Sequence, residues 1–112
     1  MPENPFDVTV EHAGGAAVLR MTGDVNRTAQ ESLEAGYSQV VEDTVVLDFT
    51  DVSYINSTGI AVIVGILAKA RASGRELRAY GLTDHYRQIF QITRIADFMA
   101  IYEDEQAAVA AH

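Results

Sequence analysis

Two adjacent hydroxyls, Ser57 and Thr58, stand between Asn56 and Gly59 near the middle of the chain. The run before them, Val45-Val46-Leu47-Asp48-Phe49, has the composition of a buried strand, and Thr50 to Ile55 reads as a loop. The run after them is apolar from Gly59 to Ala68 and closes with Lys69, Arg71 and Gly74. Cations in the last turn and a glycine stop suit a helix C-terminus. A chain that passes from strand to loop to helix here puts both hydroxyls at a helix N-terminus. Unpaired N–H groups and the helix dipole favour an anionic group such as phosphate at that place. By residue type Ser57 reads as the N-cap, and Thr58 as a first-turn residue.

Other chemistries find less support. There are no cysteines, so disulfides, thiolate metal sites and cysteine nucleophiles are excluded. His12, His85 and His112 are scattered without metal-ligand spacing. No Gly-x-Ser-x-Gly elbow supports a Ser-His-Asp hydrolase, and no Gly-x-x-x-x-Gly-Lys loop cradles a nucleotide. Asp24 lies in the turn Gly23-Asp24-Val25-Asn26, where its role is turn chemistry or partner contact. Asp48 in its apolar strand is expected to be paired or to cap a neighbour. Asp51 is expected to hold the loop before the hydroxyls.

The formal charge of −8 argues against nucleic acid, whose backbone is held by Lys and Arg. It serves solubility or draws a basic protein partner. Six of the eight basic residues fall between Lys69 and Arg94, which predicts a locally positive end. No basic, apolar leader opens the chain, and the longest apolar run is too short to span a bilayer. The expected location is cytoplasmic, with no cofactor, no metal and no membrane insertion.

The elements that must position the hydroxyls follow from periodicity. Residues 1–5 read as a flexible lead-in, 6–109 as one domain and 110–112 as a tail. Phe6 to His12 alternates as a half-buried strand, Ala13 to Ala16 turns, and Ala17 to Met21 completes a hairpin. Gly23 to Asn26 breaks the second strand. Thr28 and Glu31 have capping-box spacing, opening a helix that buries Ala29, Leu33, Gly36, Tyr37 and Val40. Thr44 to Phe49 is the third strand, and Gly59 to Ala72 a helix apolar nearly all round, expected to be covered on more than one side. Gly59 and Gly65 inside it suggest close backbone approach. Leu77 to Gly81 is a fourth strand, and Thr83 caps a helix burying Tyr86, Ile89, Phe90 and Thr93. A short strand lies between Asp97 and Tyr102, and Glu103-Asp104-Glu105 starts a final helix. Ile60, Ile63, Leu67, Tyr86 and Phe90 read as core. The alternation predicts an α/β fold with a mostly parallel sheet.

This order, together with Met21-Thr22-Gly23-Asp24-Val25-Asn26, Leu47-Asp48-Phe49, Tyr54-Ile55-Asn56-Ser57-Thr58-Gly59-Ile60, Gly74 and Ile89-Phe90, resembles a STAS domain of the anti-sigma-factor-antagonist type. The likeness covers about residues 6 to 109. It implies a mixed five-stranded sheet with an N-terminal β-hairpin, its first strand antiparallel at the edge, and about four helices. It implies a partner switch, in which the chain binds an anti-sigma factor serine kinase, is phosphorylated by it and lets go, and a serine phosphatase resets it. Carried over, the phosphoacceptor is Ser57, with Thr58 the secondary candidate. The partner surface is Asp24, Asn26, Asn56, Ser57, Thr58 and Gly59, with the segment Asp51 to Tyr54 beside it. Two positions depart from the family pattern: Asn56 and Asn26 replace aspartates. Asparagine caps and turns as aspartate does, but the lost carboxylates also bear on phosphorylation. A scaffold or accessory subunit of a stress-signalling or transport complex, without phosphotransfer, is the alternative the resemblance leaves open.

Overall fold

The computed structural model describes residues 4–111. The expected lead-in and tail therefore fall partly outside the described residues. β1 (Asp7–Ala13) and β2 (Ala16–Val25) join through Gly14 and Gly15. Both glycines have positive φ, 59° and 85°, the conformation a two-residue hairpin turn demands. Then follow α1 (Ala29–Tyr37), β3 (Thr44–Ile55), α2 (Ser57–Ala72), β4 (Glu76–Tyr80) and α3 (Asp84–Ile92). A 3-10 turn at Ile95–Asp97, β5 (Ala100–Tyr102) and α4 (Glu105–Ala110) complete the chain. The five strands form one sheet in the order β1-β2-β3-β4-β5, antiparallel between β1 and β2 and parallel elsewhere. This is the mixed sheet with four helices that the resemblance implies.

Strand alternation sorts the core between two faces. Ala17, Leu19 and Met21 of β2, Val45, Leu47 and Phe49 of β3, and Leu77 and Ala79 of β4 pack with α1, α2 and α3. Phe90 of α3 is fully buried there and meets Phe49 edge-to-face at 5.8 Å. The residues between them, Ala16, Val18, Val46 and Tyr80, face α4 through Ala108.

The sheet departs from expectation at its C-terminal ends. β2 runs through Gly23 to Val25, and the segment read as a loop from Thr50 to Ile55 continues β3. Thr22, Gly23, Asp24 and Val25 pair with Asp51, Val52, Tyr54 and Ile55. Register shifts after Arg20 and after Gly23 each give β3 an extra residue. Such bulges disturb the two-residue period and bend the strand, and the exposed polar residues there hide it.

Other expectations fail for stated physical reasons. No Thr28–Glu31 capping box forms, because Thr28 is itself helical (φ −69°, ψ −15°) and its side chain caps nothing; a cap needs extended backbone. α2 is covered on one side only: Val64 is 44% exposed and no atom lies within 4 Å of a Cβ built on Gly65. Thr93 is exposed and ends α3, its hydroxyl donating to the Ile89 carbonyl at 2.7 Å. The positive end is also weaker than predicted. Arg75 turns inward onto the Glu42 and Val40 carbonyls and the Tyr37 hydroxyl, at 2.9, 3.0 and 3.3 Å. Arg78 is buried against Glu76 and the Ala108 carbonyl, at 3.0 and 2.7 Å. Both staple neighbouring segments to the sheet.

Asp48 is paired, as its burial requires. On the α4 face its carboxylate accepts from the Thr50 N–H at 2.8 Å and from Arg20 at 3.0 Å. Arg20 also bonds Tyr80 and pairs with Glu11 and Glu105, so one guanidinium ties β1, β2, β3, β4 and α4 together. Burial pushes the Asp48 carboxyl up, but the bonds from Thr50, Tyr80 and Arg20 outweigh it and hold it below 3.8. A hydrogen bond from His12 likewise lowers Glu42. Burial and then Asp48 raise the Tyr80 hydroxyl above 10.0.

The signs fix a pH window. Carboxyls held low when folded contribute fully above about pH 4 and lose that contribution as pH falls; a raised tyrosine contributes below about pH 10 and loses it as pH rises. Urea denaturation at stepped pH should give a plateau with losses at both ends. Asp48→Asn should shrink the acid limb without abolishing it, because Glu42 remains. An acid limb unchanged in that variant would remove Asp48 from the account.

Candidate functional site

Several short contacts lock the start of α2 to the ends of β2 and β3. Asn56 is extended (φ −93°, ψ −179°), and its Oδ1 accepts the Gly59 N–H at 2.7 Å. Its N–H donates to the Val25 carbonyl at 3.3 Å, and its carbonyl accepts the Ile60 N–H at 2.9 Å. Asn56 is thus the N-cap, and Ser57 is one position inside the helix rather than the cap its type suggests. Asparagine ranks with serine at N-caps, and residue type alone does not choose between neighbours. Gly59 makes the closest approach, since a Cβ there would lie 1.9 Å from the Val25 carbonyl oxygen. From α3 the Tyr86 hydroxyl accepts the Ile55 N–H at 2.9 Å.

Ser57 and Thr58 are both exposed. Among the described residues their N–H groups have no partner, while those of Gly59 and Ile60 are taken by Asn56. The first turn of α2 therefore offers two free donors at the positive end of a 16-residue helix. Asn56→Ala should cost about 1 kcal/mol of stability. Asn56→Asp should keep the cap and add about 0.3–1 kcal/mol through the dipole. Thermal unfolding of both variants checks this, and a destabilised Asn56→Asp would contradict it.

Asn26 follows β2 beside this turn. Its Oδ1 accepts the Thr28 N–H at 2.9 Å and also the Thr28 hydroxyl, which shapes the entry to α1. Asp24 is half-buried, and its N–H donates to the Asn4 carbonyl at 2.9 Å while its carboxylate accepts the Asn4 N–H at 3.4 Å. Gly23 (φ 85°) lets Pro5 cross closely, for a Cβ would sit 2.1 Å from the Pro5 carbonyl oxygen. Residues 4 and 5 are thus tied to β2, in contrast to the lead-in expected of them. Asp51 is exposed and pairs by register with Thr22, extending β3 instead of holding a loop.

The geometry brings Asn26, Asn56, Ser57, Thr58 and Gly59 together and places Asp24 one step back, opposite the 56%-exposed Tyr54. Sequence reasoning misses the Tyr86 anchor and Arg27. Arg27 lines a groove of about 310 Å³ between α1 and α2 together with Gln30, Glu34, Thr58, Ala61, Val62 and Gly65. Only its position next to Asn26 signals it. His12 pairs with Glu42, and His85 packs on the Tyr86 ring at 5.0 Å. Among the described residues no three His, Cys, Asp or Glu side chains group as metal ligands, and no helix is long and apolar enough to cross a membrane.

Comparison with known proteins agrees with this fold. The STAS domain pattern matches residues 7–108. An anti-sigma-B factor antagonist of Listeria monocytogenes is 38% identical over 76 residues, covering 66% of this chain and 67% of its own. BtrV of Bordetella bronchiseptica is 30% identical over 107 residues, covering 93% of this chain and 92% of its own. The Bacillus protein SpoIIAA, solved in its phosphorylated form, has a TM-score of 0.68 at 21% identity, covering 89% of this chain and 95% of its own. That last likeness shows a shared fold. The chain belongs to the STAS domain family and is of the anti-sigma factor antagonist type.

Proposed function

We propose that the chain binds an anti-sigma factor serine kinase through the exposed start of α2 and the adjoining end of β2, and that phosphorylation of Ser57 ends the binding. The observation that carries this reading is the division of labour at the helix start. Asn56 supplies the cap, so the exposed Ser57 hydroxyl is not committed to holding the helix. A phosphate there adds about −1.5 to −2 charges at a helix end that tolerates them, while a packed partner surface would not. The protein is then a substrate and regulator rather than an enzyme. Magnesium and ATP belong to the kinase, and a serine phosphatase restores the binding form.

Intact-mass analysis after incubation with the cognate kinase and ATP tests this. One phosphate mapped to Ser57 is the expected result. Tight kinase binding with no phosphate under any condition would favour the scaffold role instead. The neutral pair Asn26 and Asn56 is the observation behind that second reading.

A further inference from the structure

We propose that Arg27 receives the phosphate placed on Ser57 and holds it at the mouth of the α1–α2 groove. This rests on Ser57 being the acceptor and adds the counter-charge of the modified state. Arg27 lies in the turn between β2 and α1, and its carbonyl accepts the Gln30 N–H at 3.2 Å. The Asn26 side chain fixes that turn. The Arg27 side chain is exposed, lines the groove beside Thr58, and makes no ion pair among the described residues. Ser57 and Thr58 are consecutive, with Cα atoms about 3.8 Å apart. Ser57 is exposed in the same first turn but projects about 100° round the helix from Thr58, so Arg27 meets a phosphoryl group there by swinging across Thr58 toward the exposed helix start.

The charges on the neighbouring elements are otherwise carboxylates, which leaves Arg27 as the counter-charge beside the groove. α1 contributes Glu31 and Glu34, and β2 and β3 contribute Asp24 and Asp51. α2 has no charged residue before Lys69. The Glu34 carboxylate accepts from Gln30 at 3.3 Å, which engages it within α1. Asn26 spends its oxygen on Thr28, so it turns amide donors, not a carboxylate, to the remaining space. Asn56 spends its oxygen on Gly59. Aspartates at both positions would add two negative charges to these carboxylates; here the two positions are amides, and the first turn of α2 adds free backbone N–H groups. Arginine matches phosphate oxygens with a planar fork of donors.

The test uses the full chain with phosphoserine installed at position 57 during translation, so that no kinase is needed. The ³¹P resonance is titrated at low salt. The second phosphate pKa should fall below its usual value of about 6. Arg27→Gln should raise it by about half a pH unit, and Arg27→Lys should recover most of the shift. In the wild-type protein the Arg27 Nε–H resonance should move on phosphorylation and follow the same titration. A phosphate pKa equal in wild type and Arg27→Gln, with an unmoved Arg27 resonance, overturns the proposal. Failure of a kinase to modify Ser57 would instead sink the functional reading and leave this titration untouched.

Discussion

Gly59→Ala should destabilise the fold by more than about 3 kcal/mol, and Gly65→Ala in the same helix should stabilise it by about 0.5–1 kcal/mol. Helix propensity alone gives both substitutions the same favourable sign, because alanine is the better helix former by up to about 1 kcal/mol. The surroundings reverse one of them. At Gly59 a new Cβ would lie 1.9 Å from the Val25 carbonyl oxygen and 2.6 Å from its carbon, with Ile55 Cγ2 at 3.2 Å. The obstacle is backbone of a central strand, so it cannot rotate away. Overpacking of a rigid site costs about 1–3 kcal/mol or more, and here α2 must retreat from β2. That movement also threatens the Asn56–Val25 bond and the Ser57 position. At Gly65 nothing lies within 4 Å of the added carbon. Urea denaturation of the two variants decides the matter; a shared sign would show that the α2–β2 contact does not control stability.

This pair also shows how far the sequence is legible. Glycines in an apolar helix announce close approach, but only the three-dimensional neighbours say which one makes it. The fold reads well because strand and helix periods are long and regular from β1 to α3. It reads poorly where bulges interrupt the period, so the continuation of β3 through Tyr54 passes for a loop. The site's location is legible for the same reason that its cap is not. A strand-to-helix handover marks the place, whereas Asn56 and Ser57 are equivalent cap residues by type. Charge is the least legible quantity. Arg75 and Arg78 count toward a positive surface in the sequence but serve the interior. Arg20, in a strand, gives no sign that it gathers Glu11, Asp48, Tyr80 and Glu105.

Ser57→Asp should weaken binding to the kinase by roughly thirtyfold or more, and Ser57→Ala should bind as the unmodified chain does and never be released. The size follows from burying a carboxylate against a surface shaped for a hydroxyl, which costs about 2 kcal/mol or more when the charge finds no partner. Aspartate carries one charge and the phosphate up to about two, so the variant understates the switch. Loss of binding through unfolding is separable. Ser57 is exposed in the first turn of α2 and Asn56 carries the cap. An acidic residue in a first turn stabilises by about 0.3–1 kcal/mol, so Ser57→Asp should unfold no earlier than wild type. Calorimetric titration of kinase against both variants, beside their thermal unfolding, reads the two quantities independently. Equal affinity of Ser57→Asp and Ser57→Ala would mean that charge at this position does not govern the interface. A binding loss in Thr58→Asp that is absent from Ser57→Asp would move the switch one residue along the helix, into the groove that Thr58 lines with Arg27.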